Sequence, residues 1–360
     1  MRIGGDFEIT MDTLYQPSLN SMLLSNNDYY VWTDLGRSAI YLAIIDLIKK
    51  GVKRKAYLPF YACHSILKAF DELDFQIEFY SQEAKLNHQI DLSFIEENSV
   101  FFYINYFGME NRISESIKYA KKKRSFYVIE DCVQSAFSIF AHHLSDYKIY
   151  SFRKFLAQAD GALLISKKPL YLNSSLAQIN STFLKEQTYG KILRNEESLT
   201  NLYLNLLKKS EYNMGHQKII PREMSAFSKF LMSQENIQQT SERRRENWYL
   251  LLHNINQHHF LRSCVEPLFQ RLENCEVPLG FPIRVNQQKR DIILKELRNK
   301  EIFCPVHWDL SEQTNRINKT EFEKDYNLSK SMITLPIDQR LSQVHIYYLI
   351  ESLDEIVRRI

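Results

Sequence analysis

The chain has 360 residues and a mass of 42.8 kDa, with 44% apolar and 25% charged residues, which is typical of a globular protein long enough for two domains. Forty-six basic residues stand against forty-three acidic ones, and a net charge of +3 is too balanced for a protein built mainly to neutralise nucleic-acid phosphates. Because no window approaches the roughly 18 apolar residues of a membrane span and the first residues lack the apolar core of a secretory signal, a cytoplasmic location is expected.

The first half of the chain alternates helical periodicity with short β-rich runs between about residues 37 and 166, a pattern typical of an α/β layer fold. The apolar spacing predicts a helix over 38–50 that ends at Gly51 as its C-terminal cap. The following apolar runs are nearly continuous, which suits strands covered on both faces of a sheet. Strands are predicted over 56–60, 75–80, 100–108, 125–131, 148–152 and 162–166, and helices over 63–70 and 113–124.

The second half changes to long helical stretches after Pro169. A last segment mixes two short strand candidates with two helices, which predicts a small α+β domain. We place the domain boundary near residue 240, which divides the chain into a large domain over 1–240 and a small domain over 241–360. Helices are predicted over 198–209, 226–253, 287–300 and 341–360, and strands over 277–285 and 332–337.

Polar residues follow two of the predicted strands. Glu130 and Asp131 end an apolar strand and Gln134 follows them. In an open α/β sheet ligands bind outside the carboxyl ends of the strands, so a carboxylate there can face a pocket, although a helix N-cap is an alternative interpretation. Ser151 and Lys154 lie at the end of a later strand. A partly desolvated lysine can form a Schiff base with a carbonyl, whereas most lysines are solvated surface groups.

Two further features lie at the same predicted edge of the sheet. Gly36, Arg37 and Ser38 open the first helix, where free N–H groups and the helix dipole can bind a phosphate, although a plain helix start would look the same. Tyr61 and His64 offer an aromatic and an imidazole ring at another strand end, or pack in the core. Pyridoxal phosphate needs an amine, a carboxylate, a phosphate seat and flat contacts, so the sequence predicts this cofactor.

Over nearly its whole length the sequence resembles the sugar aminotransferases of the DegT/DnrJ/EryC1/StrS family. GRSAI (36–40) is similar to the family's SGTAAL helix start, LPFYACHSI (58–66) to its PSYTFVAS segment, and VFFYINYFG (100–108) to its HLYG strand. VIEDCVQSAF (128–137) is similar to VIEDAAQAFG, the family's most specific motif, and YSFRKFLAQADGALL (150–164) matches its lysine-bearing stretch. The resemblance implies fold type I of the pyridoxal-phosphate-dependent transferases, with a three-layer α/β/α large domain and a smaller C-terminal α+β domain.

The family pattern assigns roles to four residues of the predicted large domain. By position, Asp131 corresponds to the partner of the pyridine nitrogen and Gln134 to a contact at the edge or face of the ring. Ser151 corresponds to a phosphate ligand and Lys154 to the lysine that forms the Schiff base and then acts as general base. The resemblance therefore implies an aminotransferase that moves nitrogen from an amino acid, expected to be glutamate, to a keto-sugar, expected to be nucleotide-linked.

Later segments carry further implications of the same resemblance. Tyr212 and Asn213 resemble the family's GYNYR element, whose asparagine reaches the phosphate of the neighbouring subunit's cofactor. This implies a homodimer with shared active sites. His307 and Trp308 lie near the substrate-facing motif of the small domain and are candidate acceptor contacts, with packing as the alternative.

The chain departs from the family pattern in the lysine segment. The serine and Lys154 are separated by two residues fewer than in most members, and Lys148, the other nearby lysine, precedes the strand. Lys154 is therefore the better fit.

Two departures affect the expected cofactor contacts. Cys63 stands where an aromatic residue commonly stacks on the pyridine ring, which leaves Tyr61 or His64 for that contact. Arg37 stands where a threonine usually binds phosphate, and a guanidinium can do so as a charged fork.

Other functions remain as alternatives at this point. A catalytically silent protein that keeps the fold as a regulator or binding partner is one, and a pyridoxamine-dependent sugar dehydratase is another, although the dehydratases of this family replace the lysine by histidine. No metal site is expected, because the pairs His142-His143 and His258-His259 are sequence neighbours that do not share a helix face. The basic run over 121–124 is interpreted as a helix end, and no nucleic-acid partner is predicted.

Overall fold

A computed structural model of the protein describes residues 1–15, 28–140, 144–172 and 176–360. The pair His142-His143 lies outside the described residues, so the interpretation of that pair stays a prediction. The strands are β1 (Ile3–Gly4), β2 (Tyr29–Thr33), β3 (Lys55–Pro59), β4 (Gln76–Tyr80), β5 (Val100–Ile104), β6 (Tyr127–Asp131), β7 (Tyr147–Ser151), β8 (Ala162–Ser166), β9 (Glu266–Pro267), β10 (Phe281–Arg284), β11 (Ile302–Phe303) and β12 (Met332–Leu335).

Helices connect and cover these strands. They are α1 (Asp12–Tyr15), α2 (Gly36–Lys49), α3 (His64–Asp71), α4 (Ser114–Lys121), α5 (Ser181–Leu193), α6 (Thr200–His216), α7 (Ala226–Ser233), α8 (Ile237–Gln257), α9 (His259–Cys264), α10 (Gln287–Asn299), α11 (Ser311–Thr314), α12 (Glu323–Ser331) and α13 (Gln343–Arg359). Short 3₁₀ turns occur at Tyr106–Gly108, Phe152–Lys154, Glu197–Leu199 and Lys319–Phe322.

The large sheet has the strand order β2-β8-β7-β6-β5-β3-β4. Strands β7, β6, β5, β3 and β4 run parallel, while β8 is antiparallel to both of its neighbours. All six strands predicted for this region form. The seventh, β2, was not predicted from the sequence.

Side chains alternate between two cores along each central strand, because successive residues of a strand point to opposite faces. In β5, Phe102 belongs to the core beneath α2 and α3, whereas Phe101 and Tyr103 belong to the core beneath α4. Both faces of the sheet are therefore covered by helices, which confirms the predicted three-layer α/β/α arrangement.

The C-terminal segment forms a second core. Strands β12, β10 and β9 make an antiparallel sheet, and Trp248 of α8 packs with apolar residues of α10 and α13. Ile3 belongs to this core as well, because β1 pairs in parallel with β11. The division of the chain at residue 240 stays a prediction.

Two predicted elements differ from the structure. The predicted helix over 226–253 is two helices, since α7 ends at Ser233 and the side chain of Asn236 caps α8 by accepting a hydrogen bond from the backbone N–H of Gln239 at 3.0 Å. The predicted strand over 100–108 ends at Ile104, because Phe107 adopts a positive φ of 56° in the turn that follows. The break between α7 and α8 contains neither proline nor glycine, so the capping side chain of Asn236 is enough to begin a new helix there.

Candidate active site

A cavity of about 630 Å³ opens at the carboxyl ends of the parallel strands and is closed on its far side by the C-terminal segment. Ligands of open α/β folds bind in this position. Ile104 ends β5 and lines the cavity, as do the residues that end β6 and β7. Of the residues predicted for the site, the cavity is lined by Arg37, His64, Asp131, Gln134, Ser151, Lys154, His307 and Trp308.

Asp131 and Lys154 share this cavity although they come from different strands. The buried Asp131 carboxylate accepts a hydrogen bond from the backbone N–H of Val133 at 2.8 Å. Burial raises the pKa of Asp131 from 3.8 to about 6, although the Val133 N–H and the positive charge of Lys154 oppose this rise. The ammonium of Lys154 is therefore close enough to act on the carboxylate electrostatically.

The N-terminus of α2 forms a seat for an anion. Leu35 stands at the N-cap and its side chain makes no cap hydrogen bond. The helix starts at Gly36, and a Cβ built there would lie 3.5 Å from Cβ of Ser151. The N–H of Ser38 already donates to the Leu35 carbonyl at 3.0 Å, so the N–H groups of Gly36 and Arg37, the helix dipole and the Ser151 side chain border the place where an anion can bind. Arg37 lines the same part of the cavity, and its Nη1 donates to the Met214 carbonyl at 3.0 Å.

Gln134 has an unused donor in the cavity. Its Oε1 accepts a hydrogen bond from the backbone N–H of Phe107 at 2.8 Å, which fixes the side chain. The residue is only 1% exposed, and no described residue accepts a hydrogen bond from its Nε2. A buried amide without a partner is costly, so a polar group of a bound molecule is the expected acceptor.

A thiol and an imidazole lie side by side at the start of α3. Cys63 is the N-cap residue and its Sγ lies 3.2 Å from the Ser65 hydroxyl oxygen. Burial alone would raise the pKa of the Cys63 thiol, but the hydrogen bond with His64, the charge of Lys154 and the hydrogen bonds with Ser65 outweigh it and lower the pKa to about 7. The same contact with Cys63 raises the pKa of His64.

His307 and Trp308 form part of the opposite wall. The Nδ1 atom of His307 lies 3.0 Å from the Thr334 hydroxyl, and its ring packs edge-on against Phe107 with centroids 5.3 Å apart. Burial, with a smaller effect from the charge of Lys154, lowers the pKa of His307 to about 3. The imidazole is therefore neutral at physiological pH.

Three residues predicted to contact the cofactor do not line the cavity. Tyr61 is fully buried, and its hydroxyl donates to the backbone carbonyl of His307. Ser38 is also buried, and its side chain hydrogen-bonds Asp34. Asn213, which was predicted to reach the cofactor of the neighbouring subunit, lies on α6 outside the surface of this cavity, and its role stays a prediction. Cys63 replaces the aromatic residue that stacks on the ring in most family members. Of the two residues considered for that contact, His64 lines the cavity and Tyr61 does not.

Sequence reasoning missed several lining residues. Arg153 donates to Glu211 of α6, and both line the cavity beside Lys154. The N-terminal turn at 4–7 and the buried Arg244 line its outer part. Each of these contacts joins residues that are distant in sequence. The pair of glycines at positions 4 and 5 was therefore the only local feature that could have marked these lining residues.

The sequence model of the DegT/DnrJ/EryC1/StrS aminotransferase family matches residues 86–354. The chain belongs to this family. This membership, with the central sheet described above, confirms the predicted fold type I, the enzyme class and pyridoxal phosphate as the coenzyme of the family. A comparison with curated proteins finds no match.

Solved structures with the same fold are distant in sequence. A putative sugar aminotransferase from Streptococcus pneumoniae, Spr1654 in its PMP-form, is 14% identical with a TM-score of 0.68, and the match covers 99% of this chain and 94% of that one. PseC from Helicobacter pylori, an aminotransferase involved in the biosynthesis of pseudoaminic acid, is 12% identical with a TM-score of 0.68 and coverages of 99% and 100%. The aminotransferase TlmJ from Streptoalloteichus hindustanus is 14% identical with a TM-score of 0.66 and coverages of 92% and 86%.

The residues of the cavity fit the coenzyme. The uncapped start of α2 suits a phosphate, the unpartnered amide of Gln134 suits a polar ring substituent, and Asp131 and Lys154 supply the carboxylate and the amine. Among the described residues no group of three or more metal-ligating side chains could hold a metal ion. No helix in the described part of the chain has the length and apolar character to cross a membrane.

Proposed function

We propose that this protein transfers an amino group from an amino acid, expected to be glutamate, to a keto-sugar, expected to be nucleotide-linked, as a homodimer in the cytoplasm. The observation that carries the proposal is the convergence of Lys154 and Asp131, from two strand ends, on one cavity with an anion seat. The sugar acceptor is supported by the family and by similar structures described as sugar aminotransferases.

When bound, pyridoxal phosphate supplies an electron sink that stabilises negative charge on the substrate carbon beside the nitrogen. Lys154 would hold the coenzyme through its Nζ atom, and this amine, when free, would act as the base that moves a proton at the substrate carbon beside the nitrogen. Asp131 holds the proton on the pyridine nitrogen. Ser151, Arg37 and the start of α2 hold the phosphate group.

The remaining lining residues orient the substrates. Gln134, whose amide donor has no partner among the described residues, would contact a polar substituent of the coenzyme ring, and His64 would lie beside the ring. His307, which is neutral, and Trp308 contact the acceptor from the opposite wall. A neutral imidazole can donate or accept a hydrogen bond at a hydroxyl without attracting a second anion.

A single-turnover experiment tests the proposal. Purified protein loaded with pyridoxal phosphate is mixed with L-glutamate, and the visible absorption of the bound aldehyde form is followed as it converts to the amine form. Conversion that a keto-sugar then reverses supports the transferase. Stable coenzyme binding with no conversion by any amino acid donor would instead support the catalytically silent alternative.

A further inference from the structure

Two thiols of the cavity have no part in the proposed reaction. Cys63 lines the same cavity as Lys154 and is half-buried at its surface. Cys304 also lines the cavity, from the C-terminal wall, and burial raises the pKa of its thiol to about 12. The surroundings of Cys63 lower the pKa of its thiol and those of Cys304 raise it, so the reactivity of the two thiols can be compared within one cavity.

The surroundings of Cys63 stabilise a thiolate. The residue occupies the N-cap position of α3, an eight-residue helix whose positive dipole end lies at this part of the chain. The Ser65 hydroxyl lies 3.2 Å from Sγ, and the neighbouring His64 and the positive charge of Lys154 act to lower the pKa of the thiol. The lowered pKa of about 7 agrees with this geometry and makes roughly half of the thiol ionised at neutral pH.

The cavity also admits small molecules to this sulfur. Its volume is about 630 Å³, and the Gln134 amide, 1% exposed and without an acceptor, independently marks it as a place where a polar molecule binds. Cys63 and Lys154 both line this space, and the charge of Lys154 acts on the Cys63 thiol, so a molecule held at Lys154 would lie beside Cys63.

We propose that Cys63 is a modification site that reacts with soft electrophiles and with peroxides, and that its modification and coenzyme binding exclude each other. The exclusion rests on the proposed function, because it assumes that pyridoxal phosphate occupies the same cavity. With an α-haloamide, the sulfur forms a bond to carbon and the halide leaves. With hydrogen peroxide, the thiolate attacks one oxygen, the O–O bond breaks and hydroxide leaves, so sulfur is oxidised to sulfenic acid and the peroxide is reduced.

The test is alkylation of the full-length protein by iodoacetamide, with and without saturating pyridoxal phosphate, followed by peptide mass spectrometry. Cys63 should be labelled with a pH midpoint near 7, against about 8.5 for N-acetylcysteine in the same solution. Coenzyme at about 100 times its dissociation constant should slow labelling of Cys63 at least about tenfold. Cys304 should stay unlabelled throughout.

Variants and a second reagent sharpen the result. His64→Gln should move the midpoint of Cys63 labelling upward, Cys63→Ser should remove the rapidly labelled peptide, and Cys264→Ser should change neither. Pre-treatment with hydrogen peroxide, with dimedone as the sulfenic-acid probe, should trap Cys63 and reduce coenzyme uptake, and dithiothreitol should restore uptake where no dimedone was added.

The outcomes separate this inference from the proposed function. Coenzyme that binds while Cys63 labels with an ordinary midpoint, or at the same rate with and without coenzyme, would overturn the inference and leave the aminotransferase proposal intact. Labelling with a midpoint near 7 in a protein that takes up no coenzyme would keep the reactive thiol and reject the proposed function together with the mutual exclusion.

Discussion

The two walls of the cavity are built in different ways. On the sheet side, Asp131 and Ser151 each end a strand and Lys154 follows in the turn after β7, so the regular sheet determines their spacing. On the opposite side, the wall consists of the last residues of β11 and β12 and the loops that follow them, at 303–308 and 334–338, together with the N-terminal turn at 4–7. The wall proposed to hold the coenzyme is thus fixed by the strands of the sheet, whereas the wall proposed to face the substrates includes loops joined by long-range contacts.

The largest effect is expected at the sheet wall. Lys154→Ala should reduce the rate of proton transfer by about 1,000-fold and abolish the visible absorption of bound coenzyme, because no other amine of the described residues faces that part of the cavity. Lys148→Ala is the matched control, since Lys148 lies within β7 near Glu130 and outside the cavity. If only the Lys148 variant lost the absorption, the coenzyme would be bound by Lys148 and the assignment to Lys154 would be wrong.

A second substitution tests the carboxylate of the same wall. Asp131→Asn should lower the transamination rate by about 100-fold, because the pyridine nitrogen loses its charged partner. Coenzyme affinity of the wild type should weaken as the pH falls through about 6, where Asp131 becomes protonated, and this dependence should be absent from the variant. Equilibrium titrations of coenzyme between pH 5 and pH 8, followed by absorption, provide the measurement.

The same carboxylate has an opposite effect on the stability of the coenzyme-free protein. Because folding raises the pKa of Asp131 from 3.8 to about 6, its contribution is full at acidic pH and is lost, by up to about 3 kcal/mol, as the pH rises through this window. Asp131→Asn should therefore not lower the free energy of unfolding at pH 7. A marked loss in urea unfolding would show that the carboxylate stabilises the fold instead.

If the active site is shared between two subunits, Asn213 of each subunit reaches the coenzyme site of the other. Substitution of Asn213 tests this prediction. Asn213→Ala should weaken coenzyme affinity by about tenfold through loss of one charge-assisted hydrogen bond. Heterodimers that carry Lys154→Ala in one subunit and Asn213→Ala in the other, isolated with two affinity tags, should keep one complete site with wild-type affinity. If the residual site binds coenzyme as weakly as Asn213→Ala itself, Asn213 acts within its own subunit and the shared-site prediction is wrong.

The smallest expected effect concerns a close approach between the turn after β5 and the backbone at Val277. Gly108 has a φ of +93°, and a Cβ there would lie 2.1 Å from the Val277 carbonyl oxygen. Gly51 has a similar φ of +78°, but a Cβ at that position would meet no atom within 4 Å. Gly51→Ala should therefore cost about 1 kcal/mol of unfolding free energy and Gly108→Ala about 3 kcal/mol. If denaturant unfolding showed equal losses of unfolding free energy for the two variants, the backbone at Val277 would move away from the added methyl group at little cost.

The sheet and the sheet wall could be predicted because their signals are local. Apolar runs of about five residues with polar residues at their ends mark β5, β6 and β7, and Asp131 and Lys154 follow from position at those ends. Strand β2 was missed because Tyr29 and Tyr30 are exposed at the edge of the sheet and its apolar run is short. An edge strand buries only part of its surface and so leaves a weaker pattern.

The remaining site residues depend on tertiary contacts that no spacing encodes. Tyr61 was expected near the coenzyme, but its ring packs beside Trp308 with centroids 5.4 Å apart, because the C-terminal wall closes over it. The pairing of Arg153 with Glu211 joins two segments 58 residues apart. Such pairs are set by the docking of α6, which the sequence predicts as a helix without indicating its neighbours.

Arg244 connects the two cores through one buried guanidinium. Its nitrogens reach the Phe155 carbonyl next to Lys154 at 3.5 Å, the Leu279 carbonyl at 3.0 Å and the Gln339 side chain at 2.9 Å. A buried cation cannot lose such partners without a cost of several kcal/mol. Arg244 therefore ties the turn that carries Lys154 to the C-terminal core.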